Sequence, residues 1–311
     1  MNSIYYGDTQ CSAIYKSGKK KGKQCDNNAY YDQDGSYLCG VHSKKEKRKE
    51  LKKNPNAAKL KQELLKQREI LVFNMAMQNE ANHKKGDIIC SKFKMMQESE
   101  HFDGYLKVFP NFKHNNRKDG FGCSSLSPKS LGPVEHNQPG LPIALNLENF
   151  HQASKCFESE LKDGVPGSEF YVTQIAMFKD SEPHRHKKVA KEISGNKNIC
   201  KFWIWKTQDG IEKRFSYLEC RQFYCNFYER LVVKEKQYSE LLEFVAKGFN
   251  IQIIGYDGYD VNLVQGDTMA QKLDMCYNDT TRPFGHKLVL FSMLTLKLED
   301  YPWRRYKTEN F

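Results

Sequence analysis

The sequence predicts an α+β protein: a small zinc-binding module, a basic linker with a helix, and a helix-rich α+β domain. Three observations carry that expectation. Three cysteines and a histidine crowd into the first 42 residues. Apolar residues recur at helical spacing over 57–82, 217–231, 237–247 and 285–296. Short β-type runs at 87–90, 199–206, 211–217 and 250–256 are bounded by Gly, Asn or Asp. The expected boundaries are 1–43 for the module, 44–85 for the linker and helix, and 86–311 for the large domain.

In the module, Cys11, Cys25 and Cys39 have thirteen residues between neighbours, and Cys39-Gly40-Val41-His42 closes the set. Three thiolates and one imidazole complete a tetrahedral zinc set, and a closed set implies a structural ion. Ser17-Gly18, Gly22-Lys23 and Asp34-Gly35 supply turns between the ligands. A segment this short and polar is not expected to fold on apolar burial alone, so metal would pin small hairpins. The remaining cysteines, from Cys90 to Cys276, read as reduced thiols, mostly core, in an intracellular reducing compartment.

The linker is where the charge sits. The net charge is +11; residues 1–69 hold 16 Lys and Arg against 8 Asp and Glu, and the rest hold 33 against 30. Lys44 to Lys53 reads K-K-E-K-R-K-E-L-K-K. Such a block attracts nucleic acid through counterion release, without reading sequence. It also describes a solvated basic linker. Residues 57–82 then form a helix on Ala58, Leu60, Leu64, Leu65, Ile70, Leu71 and Met75. No apolar run reaches the roughly twenty residues of a membrane span. The opening residues are too polar for a signal peptide, so no membrane partner is expected.

In the large domain, 87–90 reads as a strand and 101–142 as a long irregular segment. Phe109 to Gly120 mixes aromatics, bases and amides, the chemistry that holds nucleotides. A helix is expected over 147–162. On it, Glu148, Gln152 and Lys155 fall on one face, because spacings of four and three return to the same side. The line can hold a polar ligand and activate a water; it is also what a solvated helix face looks like. Residues 169–179 are strand-like or helical. Arg185 and Lys187 lie in a His-Arg-His-Lys run suited to phosphate. A hairpin at 199–206 and 211–217, an aromatic helix at 217–231, and a helix at 237–247 capped by Gly248 follow. A strand at 250–256 leads to Asp257 and Asp260, and the chain closes with a helix at 285–296 and Trp303-Arg304-Arg305-Tyr306.

Glu148, Gln152, Ala153 and Lys155 also carry a resemblance. Glu-x-x-x-Gln-Ala-x-Lys resembles the signature helix of the NADAR (YbiA-like) family, which usually reads Glu-His-x-x-Gln-Ala-x-Lys. Asn149 stands where that family has His. Leu126-Ser127 upstream, and Trp203, Trp205, Gly248, Asp257, Asp260 and Gly285 downstream, follow the family order over about residues 120–296. The family's closing Asp-x-x-Trp-Gly is absent. The resemblance implies hydrolysis of an N-glycosidic bond in an ADP-ribose-like or nucleotide-like substrate. Glu148 would stabilise an oxocarbenium-like state and direct water. Asp257 or Asp260 would supply a second carboxylate. Gln152 would orient the ribose, Lys155 would hold phosphate or the leaving base, and Trp203, Trp205 and Arg185 would contact substrate. The rival reading is a non-enzymatic, zinc-containing nucleic-acid-binding protein. A nuclease would need clustered carboxylates for Mg²⁺, and the sequence offers none.

Overall fold

A computed structural model describes residues 5–7, 9–18, 20–52, 54–93, 98–186, 192–193, 196–197, 199–256 and 258–305. The chain divides into two compact units, Met1–Gln67 and Arg68–Phe311. The division falls inside the long helix instead of at 43/44 and 85/86, because the stretch after His42 folds back onto the module.

The first unit holds three strands, β1 (Tyr31–Gln33), β2 (Ser36–Leu38) and β3 (Lys49–Glu50), in the antiparallel order β2-β1-β3. Asp34 and Gly35 both take positive φ, 54° and 79°, between paired Gln33 and Ser36. That is the two-residue turn whose twist suits a hairpin. Its buried apolar cluster consists of Cys11, Cys25 and Cys39, with Ala13, Tyr15 and Leu38 against it. The basic stretch is therefore partly structured. Lys49 pairs with Asp32, Leu51 N donates to Tyr30 O, and the Arg48 guanidinium lies 4.1 Å from the Tyr31 ring centre. A pairing of charged residues at an edge leaves no apolar pattern to read. Lys53 lies outside the described residues.

The helix α1 (Ala57–Ala81) crosses the division. In the second unit it buries Val72 and Ala76, and Asn79 donates to Gly248 O and Asn250 Oδ1 at 2.8 and 3.0 Å. In chain order there follow β4 (Ile88–Lys92), β5 (Tyr105–Phe109), β6 (Phe121–Gly122), α2 (Leu147–Ala153), β7 (Lys155–Phe157), β8 (Leu161–Lys162) and β9 (Val165–Pro166). Then come α3 (Ser168–Phe178), β10 (Glu192–Ile193), β11 (Asn196–Lys197), β12 (Cys200–Lys206), β13 (Glu212–Phe215), α4 (Tyr217–Val232) and α5 (Lys236–Ala246). The chain closes with β14 (Asn250–Gly255), α6 (Met269–Asn278), α7 (His286–Thr295) and α8 (Pro302–Arg305).

Two sheets organise this unit, which makes the class α+β. One is parallel, in the order β4-β14-β5-β6; the other is antiparallel, β13-β12-β7. All of β14 is buried, as expected of a central parallel strand, and its Ile251, Ile253 and Ile254 join the core. Helices α5 and α7 pack against it and α4 packs on α7; Leu288 to Met293 are all buried. Trp303, expected on a basic tail, is fully buried, and its Nε1 donates to Glu229 at 2.7 Å. Tyr306 lies outside the described residues.

Two expectations need correction, and one open alternative is resolved. The segment 101–142 is not irregular throughout, since it contains β5, paired to β14 from Tyr105 to Val108. The helix expected over 147–162 ends at Ala153. Lys155, Cys156 and Phe157 instead pair with Trp203, Phe202 and Cys200. Ser154 Oγ bonds back to Phe150 O, and Ile204 N donates to Ser154 O, so the sheet takes over within two residues. The ambiguous segment at 169–179 is helical. Among the described residues, no helix is long and apolar enough to cross a membrane.

Candidate functional site

A cavity of about 560 Å³ opens in the second unit where β5 and β14 end. The carboxyl ends of parallel strands are where α/β sheets collect ligand sites. Asn111, Phe112 and His114 reach it from the loop after β5, and Tyr256 from the loop after β14. Asn111 Nδ2 donates to Ile254 O at 2.8 Å, and Tyr256 OH lies 3.2 Å from His114 Nε2. The two loops are thus stitched together. The fold leaves no room for a side chain at 122: a Cβ there would meet His114 O at 2.0 Å.

One wall is α2. Asn146 caps it by accepting from Asn149 N at 2.8 Å, and Glu148 N donates to Pro128 O. Glu148, His151 and Gln152 line the cavity. Gln152 Nε2 donates to Glu148 Oε1 at 3.0 Å, and Lys155 Nζ donates to Gln152 Oε1 at 3.1 Å. The polar line survives although Lys155 sits on a strand. Burial lowers the Lys155 pKa; Cys220, Cys200 and Glu148 oppose that shift, and Arg185 adds to it. Burial, with Lys155 nearby, pushes the His151 pKa well below its ordinary value.

The other walls come from α4, the start of α7 and the Ser127–Lys129 segment. Tyr217 and Tyr224 of α4 line the cavity. Arg221 donates to the carbonyls of Tyr277, Asp279 and Arg282, so it organises the chain leading into α7. Lys287 donates to Tyr259 O at 3.2 Å. Lys129 and Arg185 also line the cavity, and among the described lining residues Glu148 is the carboxylate. The Lys129 ammonium lies 5.8 Å from the Phe112 ring centre. Cations with aromatic faces suit a phosphate-bearing aromatic ligand.

The expected site residues separate accordingly. Glu148, Gln152, Trp203 and Arg185 line one cavity, with Lys155 bonded to Gln152 and 6.0 Å from the Trp203 ring centre. Trp205 does not join them; it stacks on Phe223 at 5.0 Å in the core. Asp260 turns away to cap a 3₁₀ turn, accepting from Asn262 N at 3.2 Å. Asp257 and Lys187 lie outside the described residues. Asn149 faces away from the cavity: it donates to Asp180 O and Glu182 O and accepts from His184 N. It therefore tethers the segment that carries Arg185. Sequence reasoning missed His151, Lys129, Tyr217 and Tyr224. His151 was within reach, since it follows Glu148 by three on the same helix.

In the first unit, one ligand atom from each of Cys11, Cys25, Cys39 and His42 lies within 4.8 Å of all the others. Cys11 Sγ and Cys39 Sγ are 3.6 and 3.3 Å from His42 Nδ1, and Cys25 Sγ is 4.0 Å from Cys39 Sγ. A tetrahedral ion bonded at ordinary Zn–S and Zn–N lengths spaces such atoms by about 3.5–3.8 Å. The residues present fit a bound metal ion. Burial raises the Cys39 thiol, but hydrogen bonds from the His42 and Val41 amides, Asn27 and Cys11 together bring its pKa down to about 7. All ten cysteines are free of disulfides.

Comparison with protein families, curated proteins and solved structures finds no match for this chain.

Proposed function

We propose that the cavity hydrolyses an N-glycosidic bond in an ADP-ribose-like or nucleotide-like substrate, as its resemblance to the NADAR family implies. The observation that carries this reading is the bonded line Glu148–Gln152–Lys155 at a cavity walled by cations and aromatic rings. Glycosidic cleavage builds positive charge on the sugar, and a preorganised carboxylate lowers the energy of that state. Glu148 does this and directs the attacking water. Gln152 holds the Glu148 carboxylate in place and is itself held by Lys155. Lys129 and Arg185 take the phosphates, and Phe112 with the α4 tyrosines takes the flat parts of the substrate. Asp260 has no role here, because its carboxylate is spent on a cap. The test is release of free base or free ADP-ribose from ADP-ribosylated nucleic acid and from ribosylated purine or pyrimidine nucleotides.

We further propose that the Cys₃His cluster holds one structural Zn²⁺, since a closed tetrahedral set leaves no open position for chemistry. The zinc-pinned unit displays Lys44, Lys45, Lys47, Lys49 and Lys52 to solvent. That exposure supports a second reading in which the first unit binds nucleic acid and the cavity is inactive. Nucleic-acid binding without turnover on any glycosidic substrate would select it.

A further inference from the structure

The cavity holds a buried imidazole that the proposed reaction leaves idle. His151 lies on α2 between Glu148 and Gln152. Its ring packs edge-on to Tyr224 at 5.1 Å and lies 6.2 Å from the Trp203 ring centre. Its Nδ1 is 3.7 Å from Cys220 Sγ. Its Nε2 has no hydrogen-bond partner among the described residues, and the ring lines the cavity.

Burial keeps the imidazole neutral, and it keeps Cys220 a protonated thiol. A neutral imidazole has one donor and one acceptor nitrogen. If the Cys220 thiol donates its S–H to Nδ1 across this contact, the ring proton sits on Nε2. Next to it, Trp203 is 7 % exposed, and its indole Nε1–H is buried without a partner among the described residues. Unpaired buried donors cost stability that a ligand acceptor recovers.

We propose that His151 donates a hydrogen bond from Nε2 to the leaving base, with Cys220 selecting the tautomer and Trp203 offering the adjacent donor. This rests on the N-glycosidic reading. As the bond to the sugar breaks, electrons move onto the base, and its ring nitrogen or carbonyl oxygen becomes a stronger acceptor. The hydrogen bond strengthens at that moment, and the proton stays on Nε2. Asn149 cannot substitute, because all three of its bonds go to the 180–184 backbone.

The test uses the full chain, long-range ¹H–¹⁵N spectra of its histidines at pH 7, and two kinds of probe. Cytosine, hypoxanthine, uracil and nicotinamide are free bases that ADP-ribose does not carry, and ADP-ribose is the probe without a leaving base. The His151 signals, assigned by their loss in His151→Gln, should show Nε2–H and a bare Nδ1, and Cys220→Ala should mix the tautomers. At least one base should shift the Nε2 signal. His151→Phe should weaken that base about tenfold, whereas His151→Gln, which keeps an N–H donor, should hold it within about threefold. ADP-ribose affinity should stay within about twofold in both variants, which also reports an intact fold. A protonated ring, an Nδ1–H tautomer, unchanged base affinity in His151→Phe, or failure of all four bases to bind overturns the proposal. Intact base binding with no turnover on any glycosidic substrate overturns the hydrolase reading and sustains the donor.

Discussion

Asn149 makes three hydrogen bonds that hold the 180–185 segment, and Arg185 enters the cavity from that segment. Its side chain is fully buried; it donates at 2.9 and 2.8 Å to Asp180 O and Glu182 O, and accepts from His184 N at 2.7 Å. Asn149→Ala strands three backbone groups. Each bond is worth about 1 kcal/mol net, and water can reach the exposed 181–185 backbone, so the expected loss is about 2–3 kcal/mol. For a unit of this size that is a fall in Tm of about 5–10 °C. Asn149→Asp should be worse than Ala: it keeps the acceptor for His184 N, loses both donors, and sets a carboxylate against two carbonyl oxygens. Thermal and urea unfolding measure the loss, and KM should rise several-fold as Arg185 loosens while kcat holds. A Tm within about 1 °C of the parent for Asn149→Ala, or an Asp variant as stable as the parent, would refute the tether.

Three further outcomes follow from the same geometry. Purified protein should carry about one equivalent of zinc, lost in a Cys25→Ser, Cys39→Ser double variant; retained zinc there rules out this ligand set. Nucleic-acid binding should weaken steeply with salt and should largely disappear when residues 1–56 are removed, and equal affinity afterwards would sink the role of the basic unit. Burial holds the His151 pKa well below its ordinary 6.5, so the unfolded chain takes up the proton first. That contribution is complete above about pH 6.5 and is lost as pH falls toward the folded pKa. His151→Gln should therefore flatten the acid side of the stability curve by up to about 1.4 kcal/mol per pH unit, and an unchanged slope would show that the ring is solvated.

Long periodic segments were legible because their apolar spacing matches what they bury. The helices at 217–231, 237–247 and 285–296 and the strand at 250–256 stand within a residue or two of the expected limits. The cysteine spacing likewise led straight to the cluster of Cys11, Cys25, Cys39 and His42. Three features were hidden for physical reasons. Ala153, Cys156 and Phe157 are spaced three and four apart, which suits a helix, yet pairing with β12 decides the conformation after Ser154. Strand β5, Tyr-Leu-Lys-Val-Phe, carries a central lysine that looks exposed; Lys107 is buried and donates to Ser99. Strand β3 is Lys-Glu, with no apolar residue to mark it. In the site, the Glu148–Gln152 pair was legible from one helix turn, whereas Lys155 reaches Gln152 from strand β7. The cavity was not, because its walls come from segments as far apart as Phe112 and His286.

Glu148→Gln is the most direct measurement of the central claim. The change keeps shape and hydrogen bonding to Gln152 but removes the charge that meets the developing oxocarbenium ion. With ADP-ribosylated nucleic acid and ribosylated nucleotides as substrates, release of base or ADP-ribose should slow by about 10² or more, with unchanged unfolding. Release as fast as the parent's would contradict the assignment of Glu148 as the catalytic carboxylate.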